Sequence, residues 1–146
     1  MSVTPDWIVT YAKKMRARQL KVEHRESVLE AQSQALWERF AEKARELVVS
    51  FNLAAEAEYL QFDQRVDTEF SITASDFVLL KADWRTEQKC VECVGPNQDT
   101  GALMDQKTLE FDIDADGNLC FAFDEHLFNS DQALRELLEP VLIHVT

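Results

Sequence analysis

Residues 67–84 read Asp67-Thr68-Glu69-Phe70-Ser71-Ile72-Thr73-Ala74-Ser75-Asp76-Phe77-Val78-Leu79-Leu80-Lys81-Ala82-Asp83-Trp84. Within this stretch the apolar residues adopt a period of two. Phe70, Ile72 and Ala74 alternate with Ser71 and Thr73. Val78, Leu80, Ala82 and Trp84 follow on one face, with Phe77 and Leu79 on the other. Alternation of this kind marks strands, because successive side chains of a strand point to opposite faces of the sheet. One wet face and one apolar face imply antiparallel pairing.

The same rhythm continues toward the C-terminus. Lys89 to Val94 reads as a short third strand, and Gly95-Pro96-Asn97 through Gly101 as a loop. Leu109, Phe111 and Ile113 alternate with Thr108, Glu110, Asp112 and Asp114, and Leu119, Phe121 and Phe123 complete the set. The spacing predicts four or five antiparallel strands. A short helix is expected from Asn129 or Ser130, with Asn129 and Gln132 as a variant capping box and Leu134, Leu137 and Leu138 on its apolar side. Pro140 is expected to stop it, and Val141 to Val145 to form a last short strand.

Toward the N-terminus the period is helical. Pro5 is the only Gly or Pro before Gly95, so the strongest helix breakers are missing from the first half. Thr4 suits the N-cap, Pro5 the first helical position, and Asp6 the positive end of the helix dipole. Ile8, Tyr11, Met15, Val22, Leu29, Leu36, Phe40, Leu47 and Phe51 recur at helical spacings, so residues 6 to about 64 read as helix. One helix of that length extends roughly 85 Å at 1.5 Å per residue. Either it projects and pairs with another chain, or it breaks near Ser27, where Ser27-Val28-Leu29-Glu30 matches a capping box, or near Ser50-Phe51-Asn52. From Leu29 to Phe62 the apolar stripe is wide enough to lie on a sheet. From Ile8 to Val22 it is thin and the remaining positions are mainly basic. The expected organisation is a basic helical arm, 1–28, and a single α+β domain, 29–146. Long helix followed by meander resembles cystatin-like α+β layouts, a likeness of architecture that carries no function.

Charge follows the same division. The chain of 146 residues has a formal net charge of −12. Residues 1–25 hold six basic residues (Lys13, Lys14, Arg16, Arg18, Lys21, Arg25) and two acidic ones, whereas the rest holds nine basic and 25 acidic. The overall acidity argues against nucleic acid as a partner, since phosphates need a local excess of Lys and Arg. No basic stretch leads into an apolar run at the start, and no apolar run approaches ~18 residues, so neither a signal peptide nor a transmembrane helix is expected. Three cysteines, Cys90, Cys93 and Cys120, make an odd count that suits free thiols in a reducing compartment, and a cytoplasmic location is expected.

The stretches that imitate chemistry each have a plainer reading. Asp112-x-Asp114-x-Asp116-Gly117 begins like a calcium loop, but position twelve is Phe123 and the flanks are strands. Asp116-Gly117 is instead a hairpin-turn signal. Cys90-Val91-Glu92-Cys93 has the gap of half a zinc site, without a second half at ligand spacing. On a strand, residues three apart point to opposite faces, so one thiol is expected in the core and the other exposed. Glu110, Asp112, Asp114 and Asp124 read as a solvated face. His24, His126 and His144 are isolated, and three glycines leave little scope for a phosphate loop.

No catalytic, cofactor-binding or metal-binding residues are assigned, and the reading leans away from an enzyme. The expected function is a non-enzymatic interaction module, adaptor or chaperone-like, dimerising through the long helix. Its candidate partner-binding residues are Trp7, Tyr11, Lys13, Lys14, Arg16, Arg18, Lys21 and Arg25. The expected partner is a second copy or another protein with an acidic surface. The competing expectation is a small-ligand binder or enzyme, with a pocket between helix and sheet lined by Phe70, Phe77, Trp84, Phe111, Phe121 and Phe123.

Overall fold

The computed structural model describes residues 3–75, 77–96 and 103–145. Helix α1 is continuous from Asp6 to Ala55, about 75 Å at 1.5 Å per residue. The two breaks anticipated at Ser27 and Ser50 are not present. With no Gly or Pro between positions 6 and 55, nothing interrupts the backbone ladder, and a Ser in mid-helix simply faces water or bonds backward. The N-cap is Pro5 rather than Thr4, and its carbonyl accepts from the amides of Ile8 and Val9.

The helix ends nine residues earlier than expected. Glu56 adopts the left-handed conformation (φ 57°), its amide donates to the Leu53 carbonyl, and the Ala57 amide donates to the Asn52 carbonyl. This is a Schellman ending built without its usual glycine. Asn52 explains why it holds. Its Oδ1 accepts from the amides of Tyr59 and Leu60 at 3.0 and 2.9 Å, and its Nδ2 donates to the Leu60 carbonyl at 2.9 Å.

Among the described residues seven strands follow, not four or five: β1 (Gln61–Val66), β2 (Glu69–Ala74), β3 (Phe77–Arg85), β4 (Cys90–Pro96), β5 (Leu103–Ile113), β6 (Leu119–Phe123) and β7 (His126–Phe128). They form one antiparallel meander in chain order. The two unexpected strands, β1 and β7, are its edges. Of the loop expected from Gly95 to Gly101, residues 97–101 lie outside the described residues, and Gly95 and Pro96 belong to β4. Asp116-Gly117 makes the anticipated hairpin turn. Gly117 has φ +83°, and Asp114 Oδ1 accepts from the amides of Asp116 and Asn118, both at 2.9 Å.

The sheet curls around α1. The Phe40 ring lies 5.6 Å from Phe70 on β2 and 4.9 Å from Phe121 on β6. In a flat sheet those strands would stand roughly 19 Å apart, four spacings of ~4.8 Å. Register shifts at Asp63/Val66, Ile72/Thr73 and Gly95/Pro96 accompany the curl. Trp37, Phe40, Phe70, Phe111 and Phe121 fill the concave side, and Trp37 Nε1 donates to the Asp67 carbonyl.

Helix α2 (Ser130–Val145) packs beside α1. Its capping box is reciprocal as expected: the Gln132 amide donates to Asn129 Oδ1 at 2.8 Å and the Asn129 amide to Gln132 Oε1 at 3.0 Å. Pro140 does not end it, and Val141–Val145 is helix rather than strand. Proline removes the bond to the carbonyl four residues back. That residue is Glu136, on the wet side, while buried Leu137, Leu138 and Val141 hold the other side to the core.

Candidate functional site

Every residue from Val3 to Ser27 is exposed, and burial along α1 begins at Val28 and Leu29. A helix advances 100° per residue, so residues seven apart nearly align. Ile8, Met15, Val22, Leu29 and Leu36 form such a line. Leu29 and Leu36 are buried against the domain, whereas Ile8, Met15 and Val22 stand in water, Met15 at 74% exposure. The exposed row is therefore the continuation of the face that packs on the sheet.

A second row runs beside it. Trp7, Tyr11, Lys14, Arg18, Lys21 and Arg25 are spaced alternately four and three apart, which keeps them on one flank. Aromatics occupy its N-terminal end and cations the rest. Lys14 Nζ sits 5.5 Å from the Tyr11 ring centroid. Trp7 is 65% exposed. Arg25 roots the row in the domain: its Nη2 donates to the Phe111 carbonyl at 3.3 Å and its Nε lies 3.5 Å from Asp112 Oδ1. Six of the eight residues expected to bind a partner thus fall on one flank. Lys13 and Arg16 do not, and helical geometry places them on the far side.

Among the described residues, the convex face of the sheet carries no helix. Glu69, Asp83 and Glu92 lie directly opposite one another across β2, β3 and β4, a like-charged line that cross-strand repulsion would penalise. Lys81 reaches Glu69 at 3.3 Å, and Arg85 reaches Asp83 at 3.2 Å and Glu92 at 3.1 Å. The hydrogen bond to Glu92, aided by the charge of Asp83, holds the Arg85 guanidinium above its ordinary pKa. An open hollow of about 500 Å³ borders this face and is lined by Asp63, Arg65, Glu69 and Lys81 among others. Those four side chains are themselves paired as Arg65–Asp63 and Lys81–Glu69.

Cys90 and Cys93 do point to opposite faces: Cys93 pairs with Ala82 on the core side, and Cys90 with Arg85 and Glu110 on the convex side. The expectation that one would be exposed is wrong. Cys90 and Cys93 are 7% and 2% exposed, and Cys120 is buried as well. Cys90 lies between Arg85 and Glu110 on the neighbouring strands, and Cys120 lies opposite Asp112. Burial pushes the Cys93 thiol up to about 12. Burial first, then the nearby carboxylates Glu92 and Glu110, raises Cys90, and burial with Asp114 and Asp112 raises Cys120. Among the described residues no group of three or more His, Cys, Asp or Glu side chains is placed to hold a metal ion.

The aromatic residues expected to line a pocket divide. Phe70, Phe111 and Phe121 are buried; Phe70 and Phe121 pack against the Phe40 ring of α1, and Phe111 packs edge-on against Phe121. Trp84 stacks on Trp37 at 6.2 Å, Phe123 is half-buried, and Phe77 is exposed. No family model matches this chain, and no curated protein and no solved structure matches it either.

Proposed function

We propose that this chain is a non-enzymatic interaction module, adaptor or chaperone-like, in which the helical arm 1–28 is the contact surface, domain 29–146 anchors it, and the long helix mediates homodimerisation. One observation carries this reading. The apolar row that holds α1 to the sheet continues, in register, onto a stretch in which every residue from Val3 to Ser27 is exposed. Fully burying each large apolar side chain is worth about 1.5–3 kcal/mol, so Ile8, Met15 and Val22 gain substantially from a partner. The competing pocket loses support, because Phe70, Phe111 and Phe121, three of the six residues meant to line it, are buried in the core. Among the described residues no helix is long and apolar enough to cross a membrane. Three free, buried thiols suit a reducing compartment such as the cytoplasm.

The test is light scattering of the full chain from dilute to ~100 µM, beside a variant with Ile8, Met15 and Val22 all changed to Asp. The wild type should rise above the monomer mass of 16.8 kDa with concentration, and the variant should stay there with an unchanged circular-dichroism spectrum. A wild type that remains monomeric throughout removes the dimer from this reading.

A further inference from the structure

Resting on that reading, we infer that the occupant of the arm is the arm of a second copy, laid antiparallel with the two Met15 side chains opposite each other. The apolar row is a palindrome in spacing: Ile8 and Val22 lie seven residues to either side of Met15. Antiparallel alignment about Met15 therefore sets Ile8 of each copy against Val22 of the other. The same two-fold operation acts on the flanking row, whose two ends differ in chemistry. Trp7 and Tyr11 of one copy come alongside Lys21 and Arg25 of the other, and aromatic faces attract such cations. A two-fold interface is self-complementary by construction, and this row supplies complementary halves on a single chain.

Charge agrees with the orientation. The two bodies, residues 29–146 with nine basic and 24 acidic residues, then sit at opposite ends of the paired arms. Parallel pairing would hold these like-charged bodies side by side. At the centre, Lys14 and Arg18 of one copy approach those of the other, and this repulsion sets a signature. Added salt should strengthen the dimer, whereas docking of the arm on an acidic partner would weaken with salt. Three apolar layers are few, so dissociation on the order of 10 µM is expected, at the small end of specific interfaces.

Single cysteines test the register, and the three native thiols are buried and serve as background. Met15→Cys should oxidise to a covalent dimer by itself, since residues facing across the axis come within disulfide reach. Ile8→Cys and Val22→Cys should each stay monomeric on a denaturing gel, but an equimolar mixture should give the mixed dimer at a yield at least ten-fold above either alone. Leu20→Cys, on the far side of the helix, should not cross-link. Self-linking of Ile8→Cys and Val22→Cys means parallel arms and overturns the inference while leaving the dimer intact. A dimer by light scattering with none of these cross-links, or one weakened by salt, also overturns it. A monomer at every concentration takes the inference down together with the dimer it rests on.

Discussion

The two halves of α1 share one helical geometry and one line of apolar residues, yet they have opposite fates. From Leu29 to Val48 the stripe is broad enough to include Trp37, Phe40, Ala41 and Ala44, and the sheet curls to enclose it. From Ile8 to Val22 the same line is one residue wide and flanked by cations, and nothing in the described chain covers it. Stripe width, not helix propensity, separates the halves. A helix is held by the area it buries, because propensity alone supplies only tenths of a kcal/mol per residue.

The largest test of this contrast compares a ring in one half with a side chain in the other. Phe40→Ala should destabilise the monomer by about 3–5 kcal/mol, the usual cost of emptying a fully buried aromatic site. Met15→Ala, measured by urea unfolding at concentrations too low for association, should change stability by less than ~0.5 kcal/mol. Comparable losses from both would mean that the arm is covered within the monomer.

Much of this was legible in advance. Period-two alternation at Phe70–Ala74 and Val78–Trp84 marks strands that are wet on one side, and the structure has β2 and β3 there. Asn129 and Gln132 were readable because a capping box depends on local spacing alone. Edge strand β1 was not. Its sequence Gln-Phe-Asp-Gln-Arg-Val is almost wholly exposed, so it lacks the apolar alternation by which strands are recognised. The true helix end was hidden because the left-handed residue is Glu56 rather than glycine, and the Asn52 bonds that fix it reach eight residues ahead. Pro140 misled because a helix tolerates proline where the lost acceptor faces water and the opposite side is packed. At the candidate site the basic residues were evident from composition. Their grouping into one flank was not, and it could have been found by projecting residues 6–27 onto a helix in register with Leu29 and Leu36.

The buried half offers a second contrast through its sheet. Cys93 pairs with Ala82 on the core side, and burial lifts its pKa from an ordinary 9.0 to about 12. A raised folded-state value leaves the full contribution in place below pH 9, where the thiol is neutral in both states. Above that the unfolded chain ionises first, so stability is lost as pH rises toward 12. The slope from this one group should be about 1.4 kcal/mol per pH unit in that window. Urea midpoints of wild type and Cys93→Ala at pH 8 and pH 10.5 measure it. The substitution should remove this group's share of the alkaline loss, leaving that of Cys90 and Cys120, and Met15→Ala should leave the whole unaltered. Equal slopes in wild type and Cys93→Ala would show that this thiol is not the buried group that the packing implies.

The smallest expected effect bears most directly on the proposed division at residue 28. Arg25 is the last member of the cationic flank and the one that touches the domain, through the Phe111 carbonyl and Asp112. Both charged side chains are about half exposed, 52% and 43%. Solvent screens such a pair, and exposed ion pairs rarely exceed ~1 kcal/mol. Arg25→Met keeps the aliphatic stem and removes the charge. Global stability should fall by less than ~1 kcal/mol, and by less still in 0.5 M salt. Amide exchange over residues 18–27 should accelerate several-fold, because the arm loses its root, while exchange around Trp37 and Phe40 stays as slow as before. If the substitution instead lowers global stability by several kcal/mol, or speeds exchange at Phe40, then arm and domain unfold as one body. The difference between the two halves of α1 would then be one of exposure only, with no independent arm to offer a partner.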